Sequence, residues 1–335
     1  MRTNRKLEDI IAKASPALRR KMEYSIELLR KAEKLALAYD KEDGYFLAFS
    51  GGKDSQALYH IAELAGVRFQ GHMNFTSVDP PEVVRFVKRN YPEVQYQKPK
   101  KSIYDLAIEK QILPTMRVRW CCAEYKEMAG AGKVTLIGIR HEESSRRARR
   151  NEVEISDRKF SGTLEELDEY RHKLKVKKAL KESKKKGVNI TNSDQEQVTG
   201  CIRGKDSLLI SPIIHWTEKE VWEFLTIMEV PHCSLYDEGW KRLGCIGCPM
   251  SSAKQKRREN ERYPYVKKHW IRAITAIRRR GITRQQYSKE GLLRTMEGDD
   301  YGWIQHPDPS HGGASKPRTN YGLWKGFRIR HRLTA

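Results

Sequence analysis

A short glycine-containing loop, enclosed between a strand pattern and a helix pattern, constrains this chain more than any other segment. Residues 44–49 (GYFLAF) are an apolar run that predicts a buried strand, and residues 56–64 predict a helix. Between them lies SGGKDS, which comprises Ser50, Gly51, Gly52, Lys53, Asp54 and Ser55. Glycines let backbone N–H groups approach an anion closely, and the N-terminus of a following helix adds partial positive charge. The loop is therefore predicted to bind phosphate groups, although its spacing is not that of a Walker A loop.

The segments on either side of the loop alternate between strand and helix patterns. Further strands are predicted over residues 67–75 and 133–139, and helices over residues 7–39 and 81–90. Residues 217–220 (TEKE) form a capping box, which predicts another helix start. Such alternation is typical of an α/β fold, in which a parallel twisted sheet carries helices on both faces.

Composition divides the chain into three parts. Residues 1–40 are an N-terminal helical segment, residues 41–250 the domain that contains the predicted phosphate-binding loop, and residues 251–335 a basic helical C-terminal region that ends in an irregular tail. Within the second part, residues 157–207 are interpreted as a basic insertion. Its stretch 171–186 (RHKLKVKKALKESKKK) is either a basic helix or a disordered tract.

The charge of the chain indicates a polyanionic partner. Lys and Arg outnumber Asp and Glu by 65 to 43, which gives a formal net charge of +22. A field of this size attracts nucleic acid, either DNA or RNA. The alternative interpretation is that the charged surface only keeps the protein soluble. The basic residues concentrate in four runs, at residues 146–150, 254–262, 278–280 and 316–332. In the last run, Tyr321, Trp324 and Phe327 alternate with basic residues, as expected for phosphate contact with base stacking.

The sequence predicts no membrane association. No apolar run approaches the roughly 20 residues that are needed to span a bilayer. The first residues are basic but lead into a polar helix rather than the apolar core of a signal peptide. We therefore expect a cytoplasmic protein. In a reducing compartment its six cysteines are expected to be metal ligands, catalytic groups or buried residues rather than disulfides.

Four cysteines form two closely spaced pairs, namely Cys121 with Cys122 and Cys245 with Cys248. A C-x-x-C pair can face one metal, and a second pair completes a set of four soft ligands. Adjacent cysteines bind a single ion poorly but can reach two irons of a cubane cluster. All four are predicted metal ligands, with a [4Fe-4S] cluster preferred over Zn²⁺, while simple burial is the alternative. No role is assigned to Cys201 or Cys233.

The loop and four later segments together resemble a known family. SGGKDS resembles the PP-loop of the N-type ATP pyrophosphatases, and its surroundings resemble the phosphoadenosine phosphosulfate reductase branch of that superfamily. The later segments follow in the family's order: VDPPE at 78–82, G-x-R-x-x-E-S-x-x-R at 138–147, P-x-x-x-W-T-x-x-E-V-W at 212–222, and LY-x-x-G-x-x-x-x-GC at 235–245. The resemblance covers roughly residues 40–250.

This resemblance implies an adenine-nucleotide alpha-hydrolase-like fold that binds ATP at the C-terminal ends of its strands. Members that use ATP cleave it between the α and β phosphates and activate an oxygen by adenylation. The expected nucleotide-binding residues are the six of the loop together with Gly138 and Arg140, and the expected catalytic residues are Lys53, Asp54 and Arg140. Mg²⁺ is expected to screen the phosphates, with Asp54 orienting it directly or through water. The cysteine arrangement is similar to the [4Fe-4S] set of assimilatory adenylylsulfate reductases.

The chain departs from the sulfonucleotide reductases in its C-terminal part. Those enzymes carry a catalytic cysteine in an E-C-G-[IL]-H type motif, whereas residues 249–335 contain no cysteine. The remaining features resemble enzymes that insert sulfur into nucleic acids. The nearest likeness is the ATP-pyrophosphatase component of bacterial DNA phosphorothioation, and a tRNA thiolation enzyme is the close variant. This likeness implies a cysteine desulfurase or another sulfur donor as a partner.

Two other functions stay open. The first is a sulfonucleotide reductase that uses a thiol of Cys201, Cys233 or a partner protein. The second is a nucleic-acid-binding protein whose nucleotide site senses ATP without turnover.

Overall fold

The computed structural model describes residues 7–127, 129–156, 159–186 and 206–279. The helices in these ranges are α1 (Leu7–Lys13), α2 (Pro16–Tyr39), α3 (Lys53–Ala65), α4 (Pro81–Asn90), α5 (Ile103–Lys110), α6 (Trp120–Cys122), α7 (Leu164–Lys186), α8 (Glu218–Ile227), α9 (Ala253–Arg262) and α10 (Pro264–Arg279). The strands are β1 (Tyr45–Phe49), β2 (Phe69–Asn74), β3 (Gln95–Gln97), β4 (Val134–Leu136), β5 (Val153–Ile155), β6 (Phe160–Gly162) and β7 (Leu208–Ile210). A π-helical turn (Ala123–Glu127) continues α6, and 3-10 turns lie at His141–Glu143 and Arg147–Arg149.

These strands form one sheet in the order β3-β2-β1-β4-β7-β5-β6. Strands β3, β2, β1, β4 and β7 pair in parallel, which confirms the predicted α/β architecture with helices packed against a mostly parallel sheet. The departure lies at one edge, where β5 runs antiparallel to β7 and β6 antiparallel to β5. The connection between β5 and β6 is too short for a parallel crossover, so the two strands pair as a hairpin.

Several predicted boundaries are confirmed and others differ. The helix predicted over residues 7–39 is divided into α1 and α2, because Pro16 begins a new helix, and the strand predicted over residues 67–75 is the shorter β2. Helix α4 spans Pro81–Asn90 as predicted, and the capping box is formed, because Thr217 accepts from the Glu220 amide while the Glu220 carboxylate accepts from the Thr217 amide. Helix α3 begins at Lys53, earlier than residue 56, since Gly52 already serves as its N-cap. Strand β4 ends at Leu136 rather than residue 139, because the chain beyond it turns toward the start of α3.

The core lies between the sheet and the helices that pack on it. Strand β1 is central, with Tyr45, Leu47 and Phe49 almost fully buried, as expected for a parallel strand covered on both faces. The Tyr45 hydroxyl donates to the Leu29 carbonyl at 2.7 Å, which ties α2 to this strand. This hydrogen bond fixes the amino end of β1 against α2, and the loop of residues 50–55 leaves from its carboxyl end.

Outside the central sheet, one prediction is confirmed and others are not tested by the structure. Of the two alternatives for residues 171–186, the structure has the helix, as part of α7. The interpretation of residues 157–207 as an insertion stays a prediction. Cys201 and the basic run at 316–332 lie outside the described residues. Within the described ranges, no helix has both the length and the apolar character needed to cross a membrane.

Candidate functional site

The predicted nucleotide-binding residues meet where the strand order of the sheet reverses. Strand β1 lies between β2 and β4, so the chain winds away from it in both directions. Open α/β sheets bind ligands beyond the carboxyl ends of their strands at such a point. Residues 50–55 follow β1, and residues 138–140 follow β4. The two segments therefore form one candidate site.

The loop after β1 is shaped by its first glycine and closed by its serines. Gly51 has a φ of +72°, and a Cβ there would lie 2.5 Å from a Val87 methyl carbon on α4. The Ser55 hydroxyl donates to the Gly52 carbonyl at 2.8 Å and accepts from the Ser50 amide at 3.2 Å. The loop thus turns tightly into α3, whose N-terminus faces the carboxyl edge of the sheet.

Gly51→Ala is expected to lower the free energy of unfolding by about 2–4 kcal/mol, because it combines left-handed backbone strain with a steric clash. Gly66→Ala is the matched control, since Gly66 has a φ of +71° but no atom within 4 Å of its Cβ position. The control is expected to lose only about 1–2 kcal/mol from the backbone strain. Urea unfolding of both variants measures the difference, and equal losses would contradict the predicted contact with α4.

Arg140 is buried at the end of the strand-β4 segment and faces the loop. Gly138 permits this approach, because a Cβ there would lie 2.8 Å from the Asp54 carbonyl oxygen. The Arg140 guanidinium donates to Asp54 Oδ1 at 2.6 Å and to Glu142 Oε2 at 2.8 Å. Burial alone would lower the pKa of Arg140, but these carboxylates raise it above its usual value. Arg140 is therefore a permanent cation in the site.

Lys53 is the second buried cation, with a side chain that is only 5% exposed. Its Nζ lies 3.6 Å from Asp54 Oδ2 and 3.4 Å from Glu218 Oε1. Glu142 connects Glu218 to Arg140, since its carboxylate also accepts from the Glu218 amide. That backbone bond, with the nearby Arg140, lowers the pKa of Glu142. Two buried cations and three carboxylates thus form one network around the start of α3.

The two cysteine pairs are brought to neighbouring positions. Cys121 and Cys122 lie on α6, and Cys245 and Cys248 lie in the loop before α9. The sulfurs are close enough to affect one another's ionisation: Cys121 donates to Cys122 and lowers the pKa of Cys122 to about 5. Arg119 also donates to Cys122 Sγ at 3.0 Å. Cys245 and Cys248 lie within electrostatic reach of Cys121 and help to raise the pKa of Cys121, and the four residues are called the cysteine cluster below.

The cysteine cluster does not by itself adopt a metal-binding geometry. In the part of the chain that the structure describes, no group of three or more His, Cys, Asp or Glu side chains is arranged to hold a metal ion. The chemistry of the donors nevertheless fits an iron–sulfur cluster, because four half-buried thiols come from two segments beside a lysine. Cys245 raises the pKa of that lysine, Lys126.

The cysteine cluster and the phosphate loop lie on the same edge of the sheet. Cys245 Sγ donates to the Thr76 hydroxyl at 3.4 Å, and the Ile246 amide donates to the Val78 carbonyl at 2.7 Å. Thr76 and Val78 belong to the loop that follows β2, the parallel neighbour of β1. The loop of residues 50–55 thus follows β1, and the C-x-x-C loop packs against the segment that follows β2, the neighbouring strand.

Residues 44–251 match the model of the phosphoadenosine phosphosulfate reductase domain. The chain belongs to this family. The match coincides with the resemblance predicted over roughly residues 40–250. An uncharacterized protein of Methanocaldococcus jannaschii is 23% identical over 272 residues, which cover 79% of this chain and 56% of that protein. An adenosine 5'-phosphosulfate reductase of Oceanobacillus iheyensis is 40% identical over 42 residues, 12% of this chain and 18% of the reductase.

The chain thus spans about half the length of the first of these relatives and less than a fifth of the second. Among solved structures, the FMN adenylyltransferase of Candida glabrata is similar with a TM-score of 0.43 and 14% identity, over 72% of this chain and 68% of that chain. The phosphoadenylyl-sulfate reductase of Candida auris has a TM-score of 0.30 and 15% identity, over 69% of this chain and 96% of that chain.

In this member of the phosphoadenosine phosphosulfate reductase family, the basic run at 146–150 lies beside the loop. Arg147 is paired with Glu143. Burial lowers the pKa of Arg147, and Arg242 and Asp54 lie within its electrostatic reach. Arg150 is likewise paired, with Glu154. The other two arginines of the run, 146 and 149, are exposed. The run therefore offers part of its charge to solvent.

The basic run at 254–262 contributes more to the architecture than the sequence indicated. Lys256 is buried, and the Arg258 guanidinium lies 4.3 Å from the centroid of the Trp240 ring. Arg262 pairs with Glu82 at 3.0 Å and with a second carboxylate, that of Glu238. The same helix, α9, also presents the buried Glu259, which accepts from the Gly247 amide at 2.7 Å inside the C-x-x-C loop. Helix α9 thus braces the cysteine loop.

Proposed function

We propose that this chain cleaves ATP to AMP and pyrophosphate and uses the adenylyl group to activate a nucleic-acid oxygen for sulfur insertion. The observation that carries the proposal is the pair of buried cations, Lys53 and Arg140, that converge on the N-terminus of α3 at the reversal of strand order. A site with this charge is suited to the triphosphate of a nucleotide and to the pyrophosphate that leaves it.

The chemistry assigns a role to each group. The loop amides would bind the phosphates, while Lys53 and Arg140 would stabilise the negative charge that develops on departing pyrophosphate. A nucleic-acid oxygen would attack the α-phosphorus, and the bond from that phosphorus to the α–β bridging oxygen would break. Asp54 would hold Mg²⁺ directly or through water, where the ion screens the phosphates. A sulfide-level donor would then displace AMP, which carries the activated oxygen away.

The cysteine cluster would hold the metal cofactor of this reaction. Cys121, Cys122, Cys245 and Cys248 supply four thiols, which suit a [4Fe-4S] cluster, with Zn²⁺ as the alternative. Once bound, such a cluster would relay sulfur or fix the two cysteine segments in place. Its position beside the loop after β2 favours sulfur chemistry next to the nucleotide site.

Nucleic acid is the proposed substrate because the excess of basic residues is large and part of it lies at the site. The chain has a net charge of +22, and the exposed arginines of the run at 146–150 adjoin Arg147, which is within electrostatic reach of the loop. In this scheme a cysteine desulfurase or another sulfur donor is the protein partner. DNA phosphorothioation and tRNA thiolation are the two forms of this reaction that we propose.

A sulfonucleotide reductase is the second candidate, favoured by the 40% identity to adenosine 5'-phosphosulfate reductase over 42 residues. It would require a thiol from elsewhere, since residues 249–335 contain no cysteine. A nucleic-acid-binding protein that senses ATP is the third candidate.

One experiment separates the three functions. The anaerobically purified protein is incubated with ATP, sulfide and either DNA or tRNA, and the digested nucleic acid is analysed by mass spectrometry for phosphorothioate links and thionucleosides. The proposal expects sulfur in one of these products. A parallel incubation with adenylyl sulfate and a dithiol that yields sulfite, without modified nucleic acid, would favour the reductase. Binding of nucleic acid without pyrophosphate release would favour the sensor.

A further inference from the structure

A tyrosine from a distant segment lies directly against the start of the phosphate-loop helix. The Lys53 amide, in the first turn of α3, donates to the Tyr236 hydroxyl at 2.9 Å. The Lys53 ammonium donates to the Lys241 carbonyl at 3.3 Å, so both ends of Lys53 contact the same segment. Residues 236–241 therefore lie alongside the loop that is proposed to bind phosphate.

The ring of Tyr236 is held in place by neighbouring side chains. It packs edge-on against Trp222 of α8, with ring centroids 5.0 Å apart and an interplanar angle of 88°. His232 adds a second ring at 6.2 Å, and the Lys53 ammonium lies 5.9 Å from the Tyr236 ring centroid. These contacts fix the direction in which the hydroxyl points.

The hydroxyl proton of Tyr236 is available to a ligand. Burial raises the pKa of Tyr236 well above its usual value, so the phenol keeps its proton at neutral pH. The Lys53 amide uses one acceptor position on the oxygen. Within the ranges that the structure describes, no group accepts the Tyr236 proton. A neutral hydroxyl in this arrangement accepts from the helix and donates outward.

We propose that Tyr236 is a phosphate ligand: its hydroxyl accepts the Lys53 amide hydrogen and donates its own proton to a phosphate oxygen of the bound nucleotide. The partial positive charge of the helix N-terminus thereby reaches the phosphate through the tyrosine. The hydrogen bond from the Lys53 amide polarises the Tyr236 hydroxyl, which makes that hydroxyl a stronger donor. The inference rests on the proposed function, because it requires that the loop bind a nucleotide.

Tyr236→Phe tests this role, because it removes one oxygen and keeps the ring that packs on Trp222. Titration calorimetry of wild type and variant with ATP and with pyrophosphate is expected to show a dissociation constant raised about tenfold or more in the variant, the loss typical of a hydrogen bond to a charged group. Adenosine, which lacks phosphate, is expected to bind both proteins equally. Tyr236→His, whose imidazole can both accept and donate, is expected to recover part of the affinity.

Tyr265→Phe serves as the control, since Tyr265 is an exposed tyrosine of α10, and its affinities are expected to be unchanged. Equal or tighter binding of pyrophosphate by Tyr236→Phe would overturn the inference alone, because Tyr236 would then only fill the space that phosphate takes. Weaker binding of adenosine as well would also overturn it, since the ring would then support the fold. Failure of wild-type protein to bind ATP or pyrophosphate would overturn both the inference and the proposed function. Should Tyr236→Phe not fold, the affinities of Tyr236→His for pyrophosphate and for adenosine are compared with those of wild type in the same way.

Discussion

Lys53→Ala is expected to reduce pyrophosphate release from ATP by about 10²–10³-fold, the effect typical of removing one group that stabilises developing charge. Lys53 is the buried cation at the first turn of α3, and its ammonium is held between Asp54 and Glu218. After the substitution Asp54 still pairs with Arg140 at 2.6 Å, so no buried carboxylate is left without a partner. We therefore expect the fold to be retained. Release of pyrophosphate is measured with a coupled assay at saturating ATP.

Lys31→Ala is the matched control for this prediction. Lys31 is also paired with carboxylates, including Glu27 at 2.9 Å, but it is about half exposed on α2. Its removal is expected to leave pyrophosphate release unchanged, because exposed ion pairs contribute little and Lys31 pairs with Glu27 and Glu165 rather than with a residue of the loop. Full activity of Lys53→Ala would contradict the assignment of the loop as the nucleotide site. A comparable loss in both variants would indicate a general effect of charge.

Cys245→Ser is expected to remove the iron of the protein. Anaerobically purified wild type is expected to contain about four irons and four sulfides per chain, and the variant much less, because Cys245 is one of the four thiolates proposed to hold the cubane. The contact of Cys245 with Thr76 links this cysteine to the loop after β2. Iron, sulfide and zinc analysis with an absorbance spectrum provides the measurement.

Cys233→Ala is the control for the metal, since Cys233 is a buried cysteine outside the cysteine cluster. It is expected to keep the full iron content. One zinc and no iron in wild type would contradict the iron–sulfur assignment and make the cysteines a structural clamp. That result would move the proposal toward adenylation without cluster chemistry.

The sequence predicted the central part of the fold because its signals are local. The apolar run before the loop, the two prolines that open α4 and the capping box of α8 each act within a few residues, and the structure has all three. The hairpin of β5 and β6 was missed, because each strand has only three residues and lies beside or within the polar stretch interpreted as an insertion. Such short strands are specified by pairing with β7 rather than by their own pattern.

In the candidate site too, residues that are consecutive in the sequence were predicted, and residues that only folding brings together were not. Glycines and a lysine between a strand and a helix indicated a candidate phosphate-binding loop, since the necessary residues are consecutive. Glu142 and Glu218 were not predicted as site residues, although both lie inside quoted motifs, because their contacts with Arg140 and Lys53 form only in the folded chain. Tyr236 is 183 residues from the amide that it accepts from. Only the folding of the β-sheet brings these groups together.

The central claim is that ATP is cleaved between its α and β phosphates at the loop after β1. The most direct test is to incubate the protein with Mg²⁺ and ATP labelled in the α and γ phosphates, with DNA and with RNA, and to separate the products by chromatography. The account predicts AMP or nucleic-acid-linked AMP together with an equal amount of pyrophosphate, and about 10²–10³-fold less of both from Lys53→Ala. Formation of ADP and phosphate, or no cleavage with either nucleic acid, would contradict it.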